Sequence, residues 1–191
     1  MRFAPDGYAE LLGLYLGDGS ISEYPRTARL RITLDAKYPG VIGEARELLA
    51  RCLPRNVMHV GRSSSGRCLS VSVYSSHLGC LFPQHGPGTK HSRSIVLEPW
   101  QRKLVNAAPW AFLRGCIRSD GCAFINRTGP YEYLSYHFSN ASEQIARLFI
   151  GVCEDLGLRP RVNRDRRGLW HVRINRRASV ARLLDNVGVK S

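Results

Sequence analysis

Two aspartate–glycine pairs stand out as positions where this sequence could do chemistry. Asp18-Gly19 closes the run Leu11-Leu12-Gly13-Leu14-Tyr15-Leu16-Gly17, and Asp120-Gly121 closes Leu113-Arg114-Gly115-Cys116-Ile117-Arg118-Ser119. The two acids lie 102 positions apart, and so do Gly13 and Gly115, which marks one unit present twice. Gly13 and Gly17 are spaced i, i+4, as are Gly115 and Ser119, so each run puts small residues on one face of a helix. Small residues at that spacing let two helix backbones come close. The acids then stand at helix C-termini, with Gly19 and Gly121 expected as the terminating residues. A carboxylate there opposes the helix dipole, and two brought together repel each other. A divalent cation answers both problems, and Mg²⁺ in particular takes oxygen ligands, keeps waters and completes its shell with substrate phosphates.

The two stretches resemble the paired motifs of the LAGLIDADG homing endonucleases in their single-chain form. The resemblance implies that the motif helices pack at the centre of the protein. It also implies that the acid at the eighth motif position binds metal, helped by the carbonyl before it. Carried over by position, the metal residues are Asp18 with Gly17 and Asp120 with Ser119. The implied cofactor is Mg²⁺ or Mn²⁺, with Ca²⁺ as a non-cleaving substitute. The family often sets a lysine near the metal-bound water, and Lys90, just before the second motif, is the candidate to join Asp18 and Asp120 as a catalytic residue. The sequence departs from the pattern at the sixth position, which holds Leu16 and Arg118 in place of an acid, and at the second position of the second copy, which holds Arg114.

The elements that must position these residues repeat as well. Helical periodicity runs over residues 6–17, with Asp6 expected to cap it. A short strand at 20–22 and an alternating strand at 29–35 follow, then an amphipathic helix over 39–53 ended by Pro54. A hairpin of 56–61 and 67–75 around Ser63-Ser64-Ser65-Gly66 and a short helix at 76–82 complete the first half. The second half offers a helix at 109–119, strands at 122–126 and 133–139, a helix at 142–156, a hairpin of 159–166 and 169–175, and a helix at 179–187. Between them lies a breaker-rich connector with a helix at 99–107. The expected fold is α+β: two pseudo-symmetric αββαββα halves, residues 1–85 and 109–191 joined by 86–108, forming a saddle of antiparallel sheets over two central helices.

Charge indicates the partner. The 191 residues carry a formal net charge of +13 and pair 24 arginines with only four lysines, Lys37, Lys90, Lys103 and Lys190. Arginine keeps its charge and suits bidentate contacts to phosphate and guanine, so a polyanionic partner, most often nucleic acid, is expected. No apolar run reaches the roughly 18–20 residues of a membrane span, and no signal peptide is seen at the N-terminus. A cytoplasmic, nucleoid-associated monomer is the expectation. The six cysteines form no CxxC pair, and reduced, mostly buried thiols are expected. Cys80, His85 and His91 offer a zinc site of no standard spacing.

Four strands carry apolar residues on one side and arginine, hydroxyl, amide or imidazole groups on the other. Two-stranded ribbons of this kind fit the major groove of DNA. The candidate contacts in the first half are Arg29, Arg31, Thr33, Arg62, Arg67, Ser70, Ser72 and Tyr74. In the second half they are Tyr133, Ser135, His137, Arg161, Asn163, His171, Arg173 and Asn175. The resemblance then implies a site-specific nuclease that cuts both strands of a long, pseudo-palindromic DNA site, one strand per half. Two other functions share the scaffold: a DNA-binding regulator that does not cut, and an RNA splicing cofactor.

Overall fold

The computed structural model describes residues 4–63 and 66–190. The chain begins with α1 (Pro5–Asp18), β1 (Gly19–Tyr24), β2 (Thr27–Asp35), α2 (Pro39–Cys52), β3 (Met58–Arg62), β4 (Cys68–Ser75) and α3 (Leu78–Leu81). After α4 (Pro99–Ala107) the order repeats as α5 (Pro109–Asp120), β5 (Gly121–Thr128), β6 (Tyr131–Asn140), α6 (Glu143–Asp155), β7 (Arg161–Arg164), β8 (Trp170–Ile174) and α7 (Arg177–Asn186). Each half holds one four-stranded antiparallel sheet, ordered β1-β2-β4-β3 and β5-β6-β8-β7. The doubled αββαββα layout is therefore present, with strand orders that match position for position.

One face of each sheet is apolar and packs on the helices. Leu30, Ile32 and Leu34 on β2, Val71 and Val73 on β4, Tyr136 and Phe138 on β6, and Val172 and Ile174 on β8 are all buried. These residues, with the apolar faces of α2 and α6, join a single core that runs through both halves. α1 is buried over most of its length because its apolar residues surround it, as expected of a central helix.

The boundaries differ from the sequence reading in instructive ways. Asp6 lies in the first turn of α1 and caps nothing; Ala4 is the N-cap and Pro5 opens the helix. β1 is six residues long, not three, and β5 reaches Thr128, because both pair along their length with the next strand. The turn expected around Ser64 and Ser65 lies outside the described residues. The connector is more than a polar spacer. Ile95, Leu97 and Val105 are buried, and Gln101 of α4 donates to the Tyr8 hydroxyl at 2.7 Å, which donates in turn to the Leu81 carbonyl at 2.6 Å. Gln84 donates to Gln101 at 2.5 Å and to the Val96 carbonyl at 2.7 Å, so the buried amides of these two glutamines are satisfied. No helix among the described residues is long and apolar enough to cross a membrane.

Candidate active site and nucleic-acid interface

The close approach of α1 and α5 sets the centre of the molecule. A Cβ on Gly115 would stand 2.1 Å from the Glu10 carbonyl oxygen, and one on Gly13 would stand 2.5 Å from that of Phe112. The small residues are thus where two backbones touch. One turn further on, a Cβ on Gly17 would meet the Ser119 hydroxyl at 2.1 Å and Asp120 Oδ2 at 3.0 Å. The Asp120 carboxylate therefore lies against the residue that precedes Asp18, and the two acids share one end of the helix pair. Gly19 and Gly121 do not take the left-handed cap conformation. Both are extended, with φ of −84° and −109°, and open a strand. Glycine is needed there because a Cβ would run into Tyr15 or Ile117 in the last turn of its own helix.

The departures from the motif pattern have structural work. Leu16 is fully buried in the core. Arg118 ion-pairs with Glu44 of α2 at 2.8 Å and donates to the Val189 carbonyl. Arg114 pairs with Glu10 of α1 at 3.5 Å and donates to the Asn186 carbonyl at 2.5 Å. Both arginines thus tie the second motif helix to the first half.

Burial raises the pKa of Asp18 to about 6, and the neighbouring Asp120 pushes the same way against the pull of Lys190 and Lys90. Asp120 is also raised, chiefly by burial, and is partly compensated by Asn140, whose Nδ2 donates to Asp120 Oδ2 at 2.7 Å. The Asn140 Oδ1 accepts from the Ser142 backbone at 2.7 Å, which fixes the amide's orientation. Lys90 reaches into the site: its Nζ donates to the carbonyls of Tyr15 at 2.6 Å and Gly17 at 2.7 Å. Burial lowers its pKa to about 8, against the pull of Asp120 and Asp18. Sequence reasoning missed Lys190, whose Nζ donates to the Ser119 carbonyl at 2.7 Å. Each motif thus ends in an acid with a lysine on the carbonyl just before it. The signal for Lys190 was available, because lysines are scarce and Lys190 sits 100 positions after Lys90. The same region opens as a cleft of about 470 Å³, whose lining includes Gly17, Lys90, Asp120 and Asn140.

These residues fit a hard divalent ion. The donors are oxygens, and burial holds both carboxylates above their ordinary pKa even with Lys90 and Lys190 beside them, a cost that a divalent ion would offset. Among the described residues no three His, Cys, Asp or Glu side chains converge, so carbonyls, water and substrate phosphate would complete the shell. The same observation speaks against zinc at Cys80, His85 and His91, in keeping with their non-standard spacing. His85 pairs with Glu23 at 3.3 Å, and His91 lies 3.1 Å from the Thr89 hydroxyl.

Register decides which side chains share the outer sheet face. Arg31 lies opposite Ser72, Thr33 opposite Ser70, and Arg29 opposite Tyr74. His137 lies opposite Arg173, Arg173 opposite Arg161, and His171 opposite Asn163. Arg31, Thr33, Arg67, Tyr74, Tyr133, Arg161, Asn163 and Arg173 are exposed. Four of the expected contacts lie elsewhere than on an open outer face. Ser72 is buried because Arg29 Nη2 donates to its hydroxyl at 3.0 Å while the guanidinium lies over the Tyr74 ring. Ser135 is buried in the middle of its sheet, flanked in register by Phe124. Arg62 pairs with Leu69, so it falls on the apolar side of the ladder, past the core. Asn175 lies just beyond β8, with its Oδ1 buried. His59, Phe124 and Asn126 belong to the outer face and were not foreseen, because the alternation of β3 and β5 is weak.

With this geometry in place, comparison with known proteins is informative. Residues 108–188 match the family described as LAGLIDADG-like domain. Among solved structures, full-length DUF199/WhiA from Thermatoga maritima superposes with a TM-score of 0.65 at 16% identity, over 99% of this chain and 58% of that one. Variants of the homing endonuclease I-DmoI superpose with a TM-score of 0.64 at 16% identity, over 96% of each chain. I-DmoI in complex with DNA and Mn gives 0.62 at 15%, over 96% of this chain and 97% of that one. No curated protein sequence is significantly similar. The second half thus matches a LAGLIDADG-like domain, and the whole chain shares the fold of these solved LAGLIDADG structures.

Proposed function

We propose that the chain is a site-specific endonuclease that hydrolyses both strands of duplex DNA in a divalent-metal-dependent reaction. The observation that carries this reading is the convergence of Asp18 and Asp120 at one end of the touching helices, each with a lysine on the preceding carbonyl. A bound Mg²⁺ or Mn²⁺ would activate water and stabilise the leaving oxygen. Asp18, Asp120 and the carbonyls of Gly17 and Ser119 would hold it. Lys90 and Lys190 place positive charge beside the point where phosphate enters, and the outer sheet faces supply the contacts that set the register on DNA. A monomer reading a long site of two related halves suits the matching strand orders.

A second reading has its own observation. The carbonyls of Gly17 and Ser119 already accept hydrogen bonds from lysine ammonium groups, which could serve as the resident cations of a scaffold that binds DNA without cutting. The deciding experiment selects bound duplexes from a random library, then exposes a supercoiled plasmid carrying the best site to the protein with Mg²⁺ or with EDTA. Linear product in Mg²⁺ and none in EDTA is expected. Tight binding with no nick in Mg²⁺ or Mn²⁺ establishes the regulator instead.

A further inference from the structure

The two sheets differ at one end. In the first, β2 pairs with β4 from Ala28 to Asp35, and Ser75 stands opposite Ala28. In the second, the β6–β8 ladder covers only Tyr136–Asn140, although β5 flanks β6 as far as Tyr131. β8 ends at Ile174, and the chain leaves the sheet to begin α7 at Arg177. The edge of β6 over residues 131–135 therefore faces a cavity of about 820 Å³ where the first sheet has a strand. Arg161 stands opposite Arg173, so in the same register Arg159 flanks the other side of that cavity. The result is a slot one strand wide, floored by Val180 and Leu184 of α7.

The slot is cationic, and polar atoms beside it are unserved. Arg159, Arg161, Arg176 and Arg177 line it, and among the described residues none of their guanidinium groups has an acidic or hydrogen-bonding partner. The one acid in the lining, Glu132, is already held by Arg127 at 2.7 Å. Continued by one step, the β6–β8 register sets Ser135 against Asn175, and there Ser135 Oγ and Asn175 Oδ1 are both buried without a partner. Buried polar atoms are normally paired. An added peptide strand brings N–H and C=O groups that serve both, whereas a phosphate has no donor for Asn175 Oδ1. Pro160 has no N–H, so the backbone bonds of such a strand come from β6. Leu134, packed against the core, lies on the helix side with Val180 and Leu184, and Arg161 shares the outer side with Arg173. A strand in the slot thus presents apolar residues to one side and acids to the other.

We propose that this slot docks an extended, acidic segment of a partner protein, which adds to the β6 edge as a strand with its apolar side chains toward α7 and its carboxylates toward the arginines. In strand addition the main-chain hydrogen bonds give affinity, and pockets for alternate side chains give specificity. The unpartnered arginines supply the complementary charge. The first half offers no such slot, because β4 closes the corresponding edge of β2.

The test uses the full chain and a fluorescein-labelled heptapeptide of alternating glutamate and valine, read by fluorescence anisotropy and by amide hydrogen exchange along β6. The expected result is saturable binding with slowed exchange within residues 131–135. Binding is expected to weaken at least about 10-fold in the double variant Arg159→Ala/Arg176→Ala. It is expected to vanish when two successive central residues of the probe are proline, which removes the N–H groups that strand addition needs. Absence of binding by the acidic probe, equal binding of the proline probe, or unchanged affinity in the folded arginine variant overturns the proposal. A fall in duplex DNA affinity as large as the fall for the peptide also overturns it, because the arginines then belong to nucleic acid. If the double variant proves unfolded by circular dichroism, the exchange pattern and the proline probe decide, since both are read on the unaltered chain. None of these results touches the endonuclease reading, which is tested by cleavage in Mg²⁺.

Discussion

At the scale of single residues, the consequential feature is a pair of carboxylates kept against their electrostatic preference. The folded-state pKa of Asp18, about 6, lies above its unfolded value. The folded chain therefore holds that proton more tightly, and in the absence of metal stability is lost as pH rises from about 4 to about 6. Asp18→Asn removes this cost. It is expected to stabilise the metal-free protein by about 1–3 kcal/mol at pH 8 and by nothing measurable at pH 3.5, as thermal unfolding at the two pH values would show. The same substitution is expected to lower cleavage at least 10²-fold, with duplex binding retained, which gel shift and plasmid assays would separate. Lys90→Met and Lys190→Met form a matched pair: if the halves act alike, each lowers cleavage of one strand more than that of the other, read by labelling the strands separately.

At the scale of elements, the α1–α5 contact leaves no room for a methyl group. Gly115→Ala forces a Cβ to 2.1 Å from the Glu10 carbonyl and is expected to destabilise by about 1–3 kcal/mol or more. Gly43, exposed on α2, has nothing within 4 Å of an added Cβ, so Gly43→Ala is expected to stabilise by about 0.5–1 kcal/mol. Chemical denaturation of the two variants would check both signs. This contact was legible in the sequence, because i, i+4 small residues recur at one offset. The strand faces were legible wherever polar and apolar residues alternate, as on β2. The burial of Ser72 was not, because it depends on Arg29 folding across from the next strand. Nor was the displacement of Arg62, because a partner across the ladder fixes its side and no local pattern does. Asn140 was invisible for a similar reason: its role depends on β6 ending beside α5, a meeting of residues 20 positions apart.

At the scale of the whole molecule, +13 charges and an arginine-rich outer face predict binding that is strongly dependent on salt. If about 6–10 phosphates are contacted, log K against log salt should slope at roughly −5 to −9, and Arg31→Ala should flatten it by about 1. A slope near zero in a filter-binding titration would remove nucleic acid as the partner.

The ion pairs that cross the centre have a further meaning. Glu10 and Glu44 belong to the first half, and Arg114 and Arg118 to the second, so both of these ion pairs set an acid of one half against a base of the other. Two first halves meeting through this surface would bring acid against acid; two second halves would bring base against base. Severed within the connector and mixed, the fragments should recombine only as unlike pairs. A dimer of identical subunits must read a symmetric target; in the proposed function, two unlike halves leave each side free to match its own stretch of sequence.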